Sequence, residues 1–251
     1  MALRGHSALM FIYNSIPTVV VQDNVITPAE CKSIISLAKS LGLREQEVNK
    51  QGKTKSDSQR SSTGIGIDVN YNDSVHEVTE RLAAICRMPL SHSEPMNIQR
   101  YIPGQKYTPH YDAARDSEEM PPEFYLKESG NRAVTMIAYL NDVEGGGGTG
   151  FPNLGFVVKA FTGRVLMFGN LDENSDAHPL SLHMGMEPSG GEKWMFTLWF
   201  REKEYMSTKK ALERKGNKKA KKKPNGLARQ SNRDLHREIK NIVDTPGRLP
   251  L

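Results

Sequence analysis

The run Lys193-Trp194-Met195-Phe196-Thr197-Leu198-Trp199-Phe200 decides how this chain folds. Its aromatic and apolar content marks a buried strand, and a lysine enters it at the first position. Burying an unpaired ammonium costs several kcal/mol, so Lys193 either snorkels to solvent or meets an anion inside. Working outward, residues 96–101, 134–140, 156–161 and 164–168 are further strand runs, separated by Gly, Pro and Asn.

Ahead of them the pattern changes. Residues 18–26 read as one strand from their β-branched content. Thr27 is then an N-cap with Pro28 at N1 and Glu30 at N3, and Cys31, Ile34, Ile35, Ala38 and Leu41 recur at helical spacing as far as Gly42. A second helix is predicted over residues 74–87, with Val75, Val78, Leu82 and Ile85 on one face and Pro89 stopping it. Two helices followed by many strands predict an α+β fold whose β part closes into a barrel or jelly roll.

Composition narrows the class. With 251 residues, 37% hydrophobic and 25% charged, the chain buries a sizeable core. Residues 203–251 carry 15 Lys+Arg against 5 Asp+Glu, net +10, so a chain of +5 overall leaves −5 on residues 1–202. The expected organisation is an N-terminal extension (1–17), a domain over 18–204 divided into helical support (18–92) and β core (93–204), and a basic tail (205–251). A like-charge run reads as a solvated, disordered segment, with an arm for nucleic acid or an acidic partner as the functional alternative. The polar stretches 49–63 and 113–131 are loops, either idle or lids over a site.

Cys31 and Cys86 are too few for a disulfide framework, and no apolar run of about 18 residues predicts a membrane span. Asn14, Ser15 and Pro17 interrupt any signal-peptide core, so a cytoplasmic location is expected, with the endoplasmic reticulum as the alternative. Nothing in the sequence sets the oligomeric state.

The chemistry-bearing residues cluster late in the chain. His110 and Asp112 follow Pro109 two residues apart, and in an extended strand they leave the same face. Alone, that pair is more often a surface contact than half a metal site. His183 would complete a set of two His and one carboxylate, which suits non-haem Fe(II) with positions left open for reactants. Lys193 follows ten residues later, where the carboxylate of a small diacid would neutralise it.

Glu94-Pro-Met-Asn-Ile-Gln-Arg-Tyr101, Gly104-Gln-Lys-Tyr107-Thr-Pro-His110-Tyr-Asp112, Arg132-Ala-Val-Thr, Tyr139-Leu-Asn-Asp-Val143, Gly147-Gly-Thr149-Gly-Phe151-Pro152, Ser181-Leu-His183-Met-Gly185 and Gly191-Glu-Lys193-Trp194 through Trp199-Phe-Arg-Glu202 stand in an ordered series. As a set, over residues 18–204, they resemble the prolyl 4-hydroxylase family of Fe(II)- and 2-oxoglutarate-dependent dioxygenases. The resemblance implies a double-stranded β-helix (jelly-roll) core with N-terminal helices packed on one sheet. It also implies hydroxylation of peptidyl proline, with 2-oxoglutarate decarboxylated to succinate and CO2, and with Fe(II), O2 and ascorbate as the other small-molecule participants.

By the same resemblance His110, Asp112 and His183 match the iron ligands, Lys193 matches the partner of the distal carboxylate of 2-oxoglutarate, and Tyr101 and Thr149 add hydrogen bonds to it. Glu94, Tyr107, Arg132 and Trp199 match positions lining the groove for a proline-containing peptide or protein, and Arg60 and Ser62 match an Arg-x-Ser of a substrate-covering loop. This chain departs from the family in the glycines of 145–148, where a Glu is missing and a looser turn is expected, in Leu198 for a frequent Lys, and in Met184 for a frequent Ala. The alternatives are the same chemistry on another protein side chain or a nucleic acid, or a non-catalytic jelly-roll binding protein.

Overall fold

The computed structural model of the chain describes residues 10–45, 48–50, 53–55, 61–114 and 128–206. Its strands, in chain order, are β1 (Met10–Ser15), β2 (Thr18–Gln22), β3 (Arg44–Glu45), β4 (Val48–Lys50), β5 (Lys53–Lys55), β6 (Thr63–Ile67), β7 (Met96–Tyr101), β8 (Tyr107–His110), β9 (Arg132–Tyr139), β10 (Thr149–Phe151), β11 (Phe156–Val158), β12 (Val165–Gly169), β13 (His183–Gly185) and β14 (Lys193–Arg201). Helices α1 (Pro28–Leu41) and α2 (Asp73–Cys86) lie between the first strands. An eight-stranded sheet runs β1-β2-β12-β9-β14-β7-β6-β3, a four-stranded sheet runs β11-β10-β13-β8, and β4 and β5 form a separate hairpin. Every pairing is antiparallel.

Strand β14 lies between β9 and β7 near the middle of the larger sheet. Both of its faces are buried, each in a different environment. Trp194, Phe196, Leu198 and Phe200 belong to an apolar cluster that also holds Cys31, Ile34 and Ala38 of α1 and Val75, Val78, Leu82 and Ile85 of α2. On the opposite face Met195 joins Val19, Val21, Tyr101, Ile137, Tyr139, Leu166 and Phe168 of the larger sheet with Phe151 and Val158 of the smaller one. Successive side chains of a strand alternate faces, so one continuous apolar run serves two cores.

The helices start where their caps predict. The Thr27 hydroxyl accepts from Glu30 N at 3.2 Å while Glu30 Oε2 accepts from Thr27 N at 2.8 Å. Arg81 of α2 then donates to Glu30 Oε2 and Oε1 at 3.0 and 2.8 Å, tying α2 to the first turn of α1. Cys31 and Cys86 are both buried and unbridged, and desolvation pushes their thiols up to about 11 and about 12, so neither is a nucleophile at neutral pH.

Several boundaries differ from the sequence reading. Residues 10–15, set aside as an extension, form β1 and pair with β2. The polar stretch 49–63 contains strand as well as loop: β4 and β5 pair, and Thr63 opens β6. The glycines of β6 and its polar neighbours hide it from propensity, and its pairing with β7 fixes it instead. At the C-terminal end Tyr205 N donates to Ser91 O at 2.8 Å and Met206, 7% exposed, donates to Ser129 Oγ at 2.9 Å, so the body extends past residue 204. Arg60, residues 115–127 of the 113–131 stretch and the tail from 207 onward lie outside the described residues.

The glycine run 145–148 is tight, not loose. Gly146 and Gly147 both sit at φ +65, a Cβ on Gly146 would run into the Glu187 carbonyl oxygen, and one on Gly147 would lie 2.8 Å from Val143 Cγ1. The turn is locked by Gly147 N donating to Glu187 O and Met186 N donating to Gly148 O, both at 2.9 Å. Glycine is required there both for its left-handed backbone and for the close approach. Gly146→Ala is therefore expected to lower the unfolding free energy by more than about 1 kcal/mol, read as a shifted midpoint in chemical denaturation.

Candidate functional site

The smaller sheet brings the predicted ligands together. β13 pairs with β8 in a register that sets His183 opposite His110, and Asp112 follows two residues beyond His110. One ligand atom from each of His110, Asp112 and His183 lies within 4.8 Å of the others. His110 Nδ1 is 2.8 Å from Thr108 O and His183 Nδ1 is 3.0 Å from Ser181 O. A carbonyl only accepts, so both Nδ1 atoms carry the proton and both Nε2 lone pairs turn toward Asp112, at 3.7 Å from Oδ1 and 3.5 Å from Oδ2. The His110 ring stacks on Tyr107 with centroids 3.5 Å apart, and the His183 ring packs edge-on against Phe168 at 4.7 Å.

Burial of Asp112 opposes its ionisation. The neighbouring His183 and His110 imidazoles, then Arg132 and the Thr135 hydroxyl, overcome that opposition and hold the carboxyl down at about 2. The donor set is one carboxylate and two imidazoles, a combination that fits Fe(II).

Lys193 stands across the same cavity. The cavity is lined by His110, Asp112, His183, Tyr101, Thr149 and Lys193, among others. Pairing of β14 with β7 places Lys193 beside Tyr101, and the ammonium is fully buried. Its one hydrogen bond among the described residues is a long one, 3.4 Å to Gly148 O, with the Tyr101 and Tyr139 rings 5.0 and 5.8 Å away. Desolvation alone pushes its pKa down to about 7. A cation held dry, with no counter-charge among the described residues and facing the cavity, fits a ligand that supplies an anion.

The substrate-side candidates divide. Tyr107 and Trp199 line the cavity. Glu94 and Arg132 lie behind Trp199: Arg132 donates to Glu94 Oε1 and Oε2 at 2.6 and 2.9 Å, and its guanidinium stacks 3.8 Å above the Trp199 ring. Arg201 also donates to Glu94 Oε1, at 2.9 Å. Burial alone would raise the Glu94 pKa, but the two arginines outweigh it and keep the carboxyl below its usual range. Ser62 is 1% exposed and is not among the lining residues.

Sequence reasoning missed several neighbours. Gln99, Ile137, Met195 and Thr197 line the cavity, and Tyr139, just behind, donates its hydroxyl to Thr149 Oγ1 at 2.7 Å. Tyr101 donates to Gln99 Oε1 at 2.9 Å, and Gln99 Nε2 to Thr197 Oγ1 at 3.1 Å. Counting every second residue from Lys193 along the strand finds Met195, Thr197 and Trp199, so a signal was present. Leu198, the departure from the family pattern, is fully buried in the cluster shared with the helices and does not line the cavity.

The comparisons with known proteins point the same way. The sequence model of the 2OG-Fe(II) oxygenase superfamily matches residues 96–201. A protein of Acanthamoeba polyphaga mimivirus carrying a provisional prolyl 4-hydroxylase name is 35% identical over 186 residues, covering 74% of each chain. Prolyl 4-hydroxylase 5 of Arabidopsis thaliana is 32% identical over 209 residues, covering 75% of this chain and 70% of its own. Among solved structures, the viral collagen prolyl hydroxylase of Paramecium bursaria Chlorella virus 1, in complex with 2OG, aligns with a TM-score of 0.59 over 73% of this chain and 95% of its own. At 24% identity that likeness is one of fold. The chain belongs to the prolyl 4-hydroxylase family of the 2OG-Fe(II) oxygenase superfamily.

Proposed function

We propose that this chain is a prolyl 4-hydroxylase that uses Fe(II) and 2-oxoglutarate to hydroxylate peptidyl proline, with a jelly-roll core backed by the two N-terminal helices. The observation that carries this reading is a His110, Asp112 and His183 cluster sharing one cavity with a buried ammonium that has no counter-charge. Relatives named as prolyl 4-hydroxylases at 30% identity or more supply the substrate class.

Bound Fe(II), with 2-oxoglutarate and O2 as co-substrates, supplies oxidation of a C–H bond to C–OH coupled to decarboxylation of 2-oxoglutarate to succinate and CO2. The residues of the chain bind, orient and exclude water. His110, Asp112 and His183 hold the metal. Lys193 pairs with the distal carboxylate of 2-oxoglutarate, and the Tyr101 and Thr149 hydroxyls border the same end of the cavity. A salt bridge formed in a water-excluded site draws strength from the low dielectric, and it relieves a charge already desolvated in the empty fold. Tyr107 and Trp199 face the peptide.

Succinate release stimulated by a proline-rich peptide, with a mass gain of one oxygen on proline, is the expected result. Turnover only with substrates that lack proline would overturn the substrate assignment. His183→Ala is expected to abolish turnover while the far-ultraviolet circular dichroism is retained.

Lys193 gives two further expectations. Its folded pKa of about 7 lies below the ordinary lysine value, so the folded state holds fewer protons than the unfolded chain from pH 7 up to about 10. The resulting penalty is fully present below pH 7 and fades as pH rises. Lys193→Met should therefore raise the ligand-free melting temperature at pH 6 and remove the stabilisation that 2-oxoglutarate gives the wild type. In the wild type, 2-oxoglutarate affinity should weaken about tenfold per pH unit above 7, because the amine must take up a proton on binding. Calorimetric titration across pH 6–9 measures it.

A further inference from the structure

One hydrogen-bond chain runs from the end of β12, through β9, to the carboxylate of the metal cluster. Asn170 Nδ2 donates to Thr135 Oγ1 at 2.8 Å, and Thr135 Oγ1 donates to Asp112 Oδ2 at 2.7 Å. Both Asn170 and Thr135 are 0% exposed. We propose that Asn170 and Thr135 form a directed relay that positions Asp112 for the metal, an inference that rests on the iron-site reading above.

The direction of the relay follows from chemistry. An ionised carboxylate has no proton to give, so the single hydroxyl proton of Thr135 goes to Asp112. The oxygen of Thr135 must then accept from its other neighbour, which obliges Asn170 to present its NH2 edge. The amide oxygen left over, Asn170 Oδ1, is buried and has no partner among the described residues. An apolar residue would fill the same volume without that orphan acceptor, so packing alone does not account for an asparagine here.

Asn170 is itself pinned. Its backbone N–H donates to Ala133 O at 2.9 Å, and its carbonyl accepts from His178 N at 2.8 Å. The carbonyl also receives a longer bond, 3.4 Å, from the Ser181 hydroxyl, and the Ser181 carbonyl is what holds His183 Nδ1. The amide that aims Thr135 is thus anchored to the same segment that aims His183. With Thr135 on one oxygen, Asp112 loses the freedom to rotate about its terminal torsion, and a metal-binding oxygen held in place needs no ordering when the ion arrives.

The test uses the full chain freed of metal and titrated with Mn(II), with affinity read by calorimetry and geometry by the visible bands of bound Co(II). Thr135→Val keeps the shape and removes the hydroxyl. It is expected to bind Mn(II) about 10–100-fold more weakly and to shift the Co(II) bands, while Thr135→Ser restores both. Asn170→Ala should weaken binding in the same direction. The double variant Thr135→Val/Asn170→Ala should bind no more weakly than Thr135→Val alone, because the amide acts through the hydroxyl. Folded Thr135→Val or Asn170→Ala protein with wild-type Mn(II) affinity, or losses that simply add, would overturn the relay and leave the iron site standing. A wild type that takes up neither Mn(II) nor Fe(II) would overturn the iron site, and the relay with it.

Discussion

The structure depends on a single strand that must satisfy two incompatible surroundings. From Lys193 as far as Trp199 the odd-numbered residues of β14 turn into the cavity, and the even-numbered ones to Phe200 turn into the helical core. A one-residue slip would send Trp194 and Phe196 into the polar cavity and drive Lys193 into a cluster of Leu, Val and Phe. Register is therefore enforced twice over. It is fixed on one side by the apolar layer under α1 and α2, and on the other by the few polar groups that the cavity can satisfy. The neighbours of β14 obey the same division: Gln99 and Tyr101 against Ile98 on β7, Thr135 and Tyr139 against Met136 and Ala138 on β9.

That arrangement explains why the site is built from both sheets. Chelating side chains sit on the smaller sheet and just beyond it, where His183 and His110 face each other across a short antiparallel pair. Lys193 sits on the larger one. Separating them gives each a different electrostatic surrounding. Asp112 stays ionised because imidazoles, an arginine and a hydroxyl surround it, whereas Lys193 has no compensating charge among the described residues. The fold carries the cost of that buried ammonium until an anion arrives, so binding energy and folding energy are opposed at one residue.

Much of this was legible in the chain. The capping box at Thr27 and the helical spacing after it are local, and local physics fixes α1 without help from the rest of the molecule. The triad and Lys193 were legible because their chemistry is rare in apolar surroundings. β6 was not, since its glycines carry little propensity and it is held by pairing with β7 far along the chain, whereas β1, with Phe11, Ile12 and Tyr13 and a hairpin to β2, was a strand set aside as an extension. The glycine run was misjudged for a related reason: glycine in sequence signals freedom, whereas here Glu187 and Val143 crowd it and only the missing Cβ lets the turn close. Thr135 was legible only as the end of the Arg132-Ala-Val-Thr segment, with no role attached, and Asn170 carried no signal. Their partner Asp112 is 23 residues from one of them, and only the folded register brings them together.

The cluster behind Trp199 shows the same logic on the peptide side. A lone arginine over an indole is a flexible cation with a large rotamer entropy to lose. Here Glu94 accepts from Arg132 on both oxygens and from Arg201 on one, so the guanidinium plane is set before any peptide arrives. The electron-rich face of the indole ring stabilises the guanidinium stacked on it. Breaking the cluster at Arg201 would leave Glu94 to Arg132 alone and loosen the stack from a site that touches neither metal nor co-substrate. Trp199 is thereby held as a fixed wall of the cavity, its position set by the packing and ion pairs behind it rather than by whatever enters in front.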